Sequence, residues 1–243
     1  MMKCDKIIEY VHIPKCGGWT IYQHFKDLFG EEKIADVTYD PIPGTFSIED
    51  TNIIIGHRSS DFFDQIQNHN QYKPFRFTLV RDPAERLWSY YRYLARTTRL
   101  PPHKWMSRMG FRTFCERVLA MKAYHDPIKD QATMFSGHEA FQVQYITGLR
   151  WPTKDQIIQA LDTKFNIVAP IHLIDYTLQE ISELLSLPYN PAEHLNADEP
   201  QKPYTLDTHM SEEDITFIRD KFSLDYFLYE LVCERYNAHD PSA

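Results

Sequence analysis

The sequence lacks three features that would place a protein in a class at once: a long apolar run, a surplus of positive charge and a cluster of cysteines. No segment approaches the roughly 18 consecutive apolar residues of a membrane-spanning helix. The 26 lysines and arginines are outnumbered by 34 aspartates and glutamates, so the net charge is -8. A negative total disfavours non-specific capture of nucleic acid. We therefore expect no membrane span and no nucleic-acid partner.

Cysteine is scarce as well. The four cysteines are widely separated, at Cys4, Cys16, Cys115 and Cys233. None belongs to a CxxC pair or to a Cys/His cluster with zinc-ligand spacing, so we expect free thiols and no bound metal. The start of the chain leads into a strand-like segment instead of the apolar core of a signal peptide. Together these observations predict a cytoplasmic protein.

The composition that remains is that of a compact folded protein. Of the 243 residues, 43% are hydrophobic and 25% are charged, which excludes disordered and collagen-like chains. The length suits one large α/β domain. No internal repeat and no low-complexity linker divides the chain. We therefore expect a single domain over residues 1–243.

Strand-like and helix-like segments alternate in the first half of the chain. Ile7 to Ile13 is rich in β-branched and aromatic residues and predicts a strand. Trp19 to Phe29 carries apolar residues at helical spacing and is stopped by Gly30. Ile53 to Ile55 and Phe75 to Val80 predict two more strands, the first of them buried on both faces.

Helices dominate the second half. Asp82 is a plausible N-cap for a helix over 84–96, with Pro83 as its first residue. Capping boxes precede two further helices near 154–164 and 212–222; they consist of Thr153 with Gln156 and Ser211 with Asp214. A strand over 166–169 and a helix over 176–185 complete the pattern. The fold class is α/β: a P-loop-like three-layer domain with a central, mainly parallel sheet flanked by helices, and a helix-rich C-terminal half.

The first candidate site is the segment Pro14 to Thr20, PKCGGWT, which follows the first predicted strand. Gly17-Gly18 leaves backbone N–H groups unobstructed, and the helix that follows directs the positive end of its dipole at the same point. Lys15 adds a positive charge and Thr20 a hydroxyl donor. The segment differs from the Walker P-loop because its lysine precedes the glycines. It indicates an oxyanion cradle, and a tight strand-to-helix turn without a ligand is the alternative.

The second candidate site is the segment Leu79 to Tyr91, LVRDPAERLWSYY. Arg81 lies where a strand ends, which is the edge at which open α/β sheets bind ligands, and Ser89 lies two turns into the next helix. A guanidinium and a hydroxyl can share one phosphate. The alternative pairs Arg81 with Asp82 or Glu85 and gives Ser89 no ligand.

Together these segments resemble sulfotransferases that use 3′-phosphoadenosine 5′-phosphosulfate (PAPS), and above all the family related to the heparan sulfate 2-O enzymes. PKCGGWT resembles the 5′-phosphosulfate loop, and VRDPAERLWSYY resembles the 3′-phosphate motif. The likeness continues in the family's order through five further segments: Gly56-His57, Gln142 to Gly148, Asn166 to Pro170, Leu195-Asn196 and Leu224 to Tyr229. Cys16 and Trp19 depart from the family pattern, which commonly has threonine or serine at these positions.

The resemblance implies a metal-free, in-line transfer of a sulfuryl group from PAPS to an acceptor hydroxyl, with PAP as the product. Lys15 is then catalytic, because it neutralises charge on the bridging oxygen as the S–O bond breaks. The residues implied to bind the donor are Lys15, Cys16, Gly17, Gly18, Trp19 and Thr20 at the 5′ end, and Arg81 and Ser89 at the 3′-phosphate.

A base has to take the proton of the acceptor hydroxyl. His57 is the first candidate, because histidine titrates near neutral pH and relatives of the polysaccharide type carry a histidine in a similar Gly-His step. His12, at the end of the first strand and close to Lys15, is the second. A histidine at a strand end can also have a purely structural role, as a hydrogen-bond partner of a backbone carbonyl.

Two other functions fit parts of the pattern. A nucleotide-dependent phosphotransferase shares the strand, loop and helix, and a non-catalytic PAP- or nucleotide-binding protein keeps the cleft without turnover. The acceptor is expected to be a small molecule or a carbohydrate with a hydroxyl, and its identity and the oligomeric state stay open. The basic segment 92–117, which runs from Arg92 to Arg117 with Glu116 as its one acidic residue, is either a solvated surface or a substrate-facing loop.

Overall fold

The computed structural model describes residues 6–38, 47–96, 109–120, 140–189, 191, 207 and 209–237. Cys4, the Leu195-Asn196 pair and residues 97–108 of the basic segment lie outside these ranges. The predicted roles of those residues are therefore not addressed by the structure.

The described chain is built on one five-stranded sheet in which every strand pairing is parallel. The strands, in chain order, are β1 (Ile7–Val11), β2 (Ile34–Asp36), β3 (Ile53–Gly56), β4 (Pro74–Val80) and β5 (Ile167–Pro170). Their order across the sheet is β2-β3-β1-β4-β5. This arrangement confirms the predicted α/β class with a parallel sheet flanked by helices.

The apolar runs of the sequence form the centre of this sheet. Ile8 of β1 pairs with Ile53 of β3 on one side and with Phe75 of β4 on the other, and all three are buried. Strands covered on both faces have no solvent side, which is why Ile53 to Ile55 of β3 is a continuous apolar run instead of an alternating one. Each fully buried side chain of this size contributes about 1.5–3 kcal/mol to the hydrophobic stabilisation.

Nine α-helices lie within the described residues. They are α1 (Gly18–Phe29), α2 (Ser60–Asn70), α3 (Pro83–Arg96), α4 (Phe111–Ala120), α5 (Phe141–Thr147), α6 (Lys154–Lys164), α7 (Ile174–Leu185), α8 (Glu212–Lys221) and α9 (Ser223–Asn237). In this part of the chain, no helix is long and apolar enough to cross a membrane.

The predicted helix starts are confirmed by their hydrogen bonds. Asp82 Oδ1 accepts from the backbone N–H of Ala84 at 2.9 Å and of Glu85 at 3.0 Å, and α3 begins at Pro83. Both predicted capping boxes are formed, with Thr153 and Ser211 as the N-caps of α6 and α8. Local side-chain chemistry thus fixes these boundaries.

Several elements were not predicted. The strand β2 has only three residues, too few to show a periodicity. The sequence of α2, SDFFDQIQNHN, is mostly polar, so its buried side, Phe63 and Ile66, gives a weak pattern. The first strand also ends at Val11, two residues before the predicted end, because the chain turns into the loop at His12.

The strand order creates a natural ligand position. From β1 the chain leads to β2 and β3 on one side of the sheet, whereas from β4 it leads to β5 on the other side. The loops that leave the carboxyl ends of β1 and β4 therefore diverge, which opens a crevice between them. Lys15 follows β1 and Arg81 follows β4, so both candidate segments lie at this crevice.

Candidate functional site

The loop after β1 has a backbone suited to anions. Lys15 has a φ of 71° and Gly17 a φ of 79°, both in the left-handed region, whereas Cys16 between them is not. Alternation of this kind turns successive N–H groups toward a common point. The Tyr10 hydroxyl, which donates to the Cys16 carbonyl oxygen at 2.9 Å, holds the loop against the sheet.

The first turn of α1 opens on the same loop. Its N-cap is Gly17, and no side chain caps it. The first hydrogen bond of the helix runs from the Ile21 N–H to the Gly17 carbonyl at 3.1 Å, so the N–H groups of Gly18, Trp19 and Thr20 precede the helical ladder. These groups and the helix dipole together suit a phosphate or sulfate oxygen.

Gly18 is required by a close approach. A Cβ added to Gly18 would lie 1.7 Å from Nε2 of His12. The His12 imidazole therefore occupies the space in which any side chain at position 18 would begin. Because Gly18 has no side chain, the His12 ring can pack directly against the loop, and the backbone N–H of Gly18 is left unobstructed.

The other side chains of the loop differ in how far they are exposed to solvent. Cys16 is fully buried, and burial raises the pKa of its thiol to about 12, so the thiol stays protonated and faces the interior. Thr20 is buried in the first turn of α1. Trp19 is 55% exposed and its ring stacks on Tyr22 at 5.5 Å between centroids.

Arg81 brings the two candidate segments into contact. Its Nη1 donates to the Lys15 carbonyl oxygen at 3.4 Å, and its Nε lies 3.4 Å from the Glu85 carboxylate. The ion pair with Glu85 is one that the sequence left open as an alternative. Because Glu85 is more than half exposed, this pair is worth little in water, and an anionic ligand could replace it.

Ser89 lies in the second turn of α3 and is half-buried. No hydrogen bond joins Ser89 to Arg81 among the described residues. Arg81 directly follows β4, and Ser89 lies on α3, the helix that begins two residues later. The two residues therefore belong to one segment, but their side chains do not contact each other through a hydrogen bond.

His57 and His12 form a pair beside the loop. Their ring centroids are 3.9 Å apart, and His57 Nδ1 lies 2.9 Å from the His12 carbonyl oxygen. A carbonyl oxygen only accepts, so Nδ1 carries the proton and Nε2 is the basic nitrogen of His57. Burial lowers the pKa of both rings, and the positive charge of Lys15 lowers both further. Both histidines are therefore neutral at neutral pH.

Lys15 extends toward α3. Its Nζ lies 4.4 Å from the ring centroid of Tyr93, a distance at which the face of an aromatic ring attracts a cation. The ammonium group is thereby held on the side of the loop that faces α3 and Arg81. Tyr93 was not singled out in the sequence, because its contact with Lys15 joins elements far apart along the chain.

Gln142 begins one of the segments that resemble the family, but the sequence assigned it no role. Its amide accepts from the Arg81 N–H at 3.0 Å and donates to the Arg81 carbonyl at 2.8 Å. The Cys16 thiol lies 3.6 Å from the same amide oxygen. Asp225 of α9 in turn accepts from the Gln142 and Val143 N–H groups, each at 3.1 Å. These partners lie so far apart in the sequence that no local pattern reveals them.

One groove lies away from this site, at the amino end of β5. Its volume is about 220 Å³, and its walls include Phe165, Tyr176, Arg235 and Tyr236. Arg235 pairs with Asp162 and the Tyr236 hydroxyl with Glu180, so these polar groups of the groove are engaged in contacts within the protein.

Among the described residues, no group of three or more histidine, cysteine, aspartate or glutamate side chains is arranged to hold a metal ion.

A loop whose backbone suits an anion and an arginine lie together at the carboxyl edge of a parallel sheet, an arrangement that suits a phosphate or sulfate group. The sequence matches the model of the sulfotransferase family over residues 1–231. The chain therefore belongs to the sulfotransferase family, and sulfuryl transfer is its general reaction. No curated protein gives a significant match.

Proposed function

We propose that the protein transfers a sulfuryl group from PAPS to a hydroxyl of a small-molecule or carbohydrate acceptor, leaving PAP. The observation that carries this proposal is the contact between the two candidate segments, where the Arg81 guanidinium meets the Lys15 carbonyl oxygen at 3.4 Å. Two anion-binding groups on neighbouring strands suit a nucleotide with phosphates at two positions. A cytoplasmic location is part of the proposal.

The residues present fit the donor. The N–H groups of the first turn of α1, the Thr20 hydroxyl and Lys15 offer donors and positive charge to the 5′-phosphosulfate. The Arg81 fork and the Ser89 hydroxyl would bind the 3′-phosphate, which distinguishes PAPS from ATP. Trp19 and Cys16 take part through the backbone of the loop.

The transfer needs a base, a nucleophile and a leaving group. His57 Nε2 takes the proton of the acceptor hydroxyl, and the acceptor oxygen forms a bond to sulfur. The bond between sulfur and the bridging oxygen breaks, and the electron pair goes to the 5′-phosphate of PAP. Lys15 stabilises the charge that develops on that oxygen. The protein otherwise supplies alignment, as in phosphoryl transfer.

Titration calorimetry of the full chain with PAP tests the donor assignment. We expect PAP to bind in the absence of a metal and ATP with Mg²⁺ to bind far more weakly. Tighter binding of ATP with Mg²⁺ would favour a phosphotransferase. PAP binding without consumption of PAPS, across sugar, phenol and alkyl-alcohol acceptors, would identify a non-catalytic binding protein.

Arg81→Ala tests the 3′-phosphate site. We expect the KM for PAPS to rise about tenfold or more, because a charge-assisted bidentate contact is lost, with a smaller change in kcat. Arg58→Ala is the control, because Arg58 is a half-buried arginine whose guanidinium packs on Phe62. An unchanged KM in Arg81→Ala would remove Arg81 from the donor site.

A further inference from the structure

Gln142 contacts both candidate segments, at the backbone of Arg81 and at the side-chain thiol of Cys16. Its amide oxygen and nitrogen pair with the N–H and C=O of Arg81, in the manner of a neighbouring strand that continues past the end of β4. The same amide oxygen receives the Cys16 thiol at 3.6 Å. One side chain thus contacts the loop after β1 and the residue after β4.

The backbone of Gln142 is held in place by a residue of α9. Asp225 accepts from the Gln142 N–H and the Val143 N–H at the start of α5. Gln142, Asp225 and Cys16 are each 0% exposed. Buried, satisfied hydrogen-bond networks of this kind hold one geometry, because each broken contact leaves an unpaired polar group away from water.

Arg86 supplies a charge next to this network. It is 3% exposed, its guanidinium lies 4.1 Å from the ring centroid of Phe141, and its charge lowers the pKa of Asp225. Burial acts in the opposite direction and is the larger effect, so the pKa of Asp225 is raised to about 6. Each carboxylate oxygen accepts one N–H group, and both hydrogen bonds favour the charged form.

We propose that Gln142 is a positioning residue that sets the separation between the loop of residues 14–20 and Arg81, so that one doubly phosphorylated nucleotide can occupy both. The proposal rests on the proposed function, because it concerns the binding of PAP. Gln142 touches neither phosphate. It acts on Arg81 through the backbone of that residue and on the loop through Cys16.

This role makes a specific prediction about ligands. A ligand that bridges two sites gains affinity only when the separation of the sites matches its own length. A ligand that uses one site is insensitive to that separation. Loss of Gln142 should therefore weaken PAP, which carries both phosphates, more than adenosine 5′-monophosphate or adenosine 3′-monophosphate, which carry one each.

The experiment measures the dissociation constants of these three ligands for wild type and for Gln142→Met. Methionine has a similar length and volume but makes neither hydrogen bond to Arg81. We expect PAP to bind about tenfold more weakly, because a ligand held at one site meets the second site at a lower effective concentration once their separation is no longer fixed, and each monophosphate to change less than about twofold. Gln144→Met is the matched control, since Gln144 is half-buried on the same helix, and it should bind all three ligands as wild type does.

Each outcome decides one question. Equal weakening of all three ligands in Gln142→Met would overturn the positioning role, because general loosening of the fold affects every ligand alike. Unchanged PAP binding in a folded Gln142→Met would overturn it too. Failure of wild type to bind PAP would instead overturn the proposed function.

A second variant covers the case in which Gln142→Met does not fold. Cys16→Ala removes the sulfur contact and leaves both hydrogen bonds to Arg81 in place. We expect the same selective loss of PAP affinity, smaller in size because a thiol is a weak donor. Wild-type selectivity for PAP over both monophosphates in Cys16→Ala would count against the proposal.

Discussion

Lys15 combines a strained backbone with a charge at the site of the proposed chemistry. A φ of 71° in a residue other than glycine costs about 1–3 kcal/mol and persists only where the surroundings enforce it. The strain lies in the segment whose N–H groups would receive the phosphosulfate. At the scale of the residue, the loop thus gives up some local stability for a shape that suits an anion.

Lys15→Ala removes the positive charge that we propose stabilises the leaving oxygen. We expect kcat to fall by about 10²–10³-fold, with PAP binding weakened less, because the backbone N–H groups remain. Steady-state kinetics and calorimetry measure the two effects separately.

Lys26→Ala is the control for this substitution. Lys26 lies on α1 and pairs with Glu31 at 2.7 Å, with both side chains substantially exposed, so its loss should leave kcat unchanged. If Lys15→Ala turned over as wild type does, Lys15 would have no place in the mechanism.

The histidine pair predicts a pH dependence. Burial lowers the pKa of His57 below 6.5, and a base acts only in its neutral form. Turnover should therefore fall as the pH drops through the lowered pKa of His57 and level off above that pKa. The acidic limb of kcat against pH should lie below that of free histidine.

His57→Gln tests which ring is responsible for this limb. We expect kcat to fall by about 10²–10⁴-fold and the acidic limb to disappear. His69 lies on α2, away from the loop, so His69→Gln should keep the wild-type kcat and the acidic limb. A limb that persists in His57→Gln and vanishes in His12→Gln would assign the base to His12 instead.

At the scale of the element, α1 and β1 meet at one glycine. The helix starts at Gly18 because the chain has turned at Gly17, and it packs closely because the His12 ring lies where a Cβ would be. The loop, the helix start and the histidine pair therefore depend on one another. Gly18 thus connects the backbone of the loop to the histidine pair.

Gly18→Ala inserts a methyl group at 1.7 Å from His12 Nε2, so the ring or the helix has to move. We expect a loss of about 1–3 kcal/mol in the free energy of unfolding, the usual cost of overpacking, and a larger proportional loss of kcat because His57 contacts His12. Urea denaturation and kinetics measure both. Gly110→Ala, whose added Cβ would meet an atom no closer than 3.3 Å, is the milder comparison, and an equal loss of kcat in both variants would contradict this account.

At the scale of the whole molecule, a buried charge network links the centre of the sheet to the helices. Glu9 of β1 and Arg76 of β4 are register partners on neighbouring strands, with Arg76 Nε 2.6 Å from the Glu9 carboxylate. Arg76 also pairs with Asp64 of α2, which in turn pairs with Lys164 at the end of α6. The network fixes the register of the two strands whose ends carry Lys15 and Arg81.

Removal of one member should destabilise the whole fold. Glu9→Ala leaves the Arg76 charge, which is 2% exposed, without one of the two carboxylate contacts at 2.6 Å, and we expect about 3–5 kcal/mol less stability. Chemical denaturation followed by circular dichroism measures this.

The comparison is with a double variant and an exposed pair. Glu9→Leu with Arg76→Met should recover much of the loss, because no unpaired charge remains. Glu31→Ala, which breaks the exposed pair with Lys26, should cost less than about 1 kcal/mol. A Glu9→Ala protein as stable as wild type would mean that water reaches Arg76.

The sequence by itself determined the features that depend on neighbouring residues. Four local signals predicted elements that the structure has: the capping side chains of Thr153 and Ser211, the stop at Gly30, the β-branched and aromatic residues of β1 and the apolar run of β3. The two candidate segments were recognised for the same reason, because a strand, a turn and a helix start follow one another along the chain. These features depend on contacts between residues close together in the chain, so a short stretch of sequence is enough to predict them.

Only the tertiary structure decided how the segments meet. The order β2-β3-β1-β4-β5 sets the loop after β1 beside Arg81, and the partners of Gln142 at Arg81 and Asp225 come from distant parts of the chain. The contact of His12 with Gly18 and the hydrogen bond that leaves His57 Nε2 basic also belong to this level. These features arise from packing and strand pairing, which depend on the global arrangement of the chain, so no stretch of neighbouring residues encodes them.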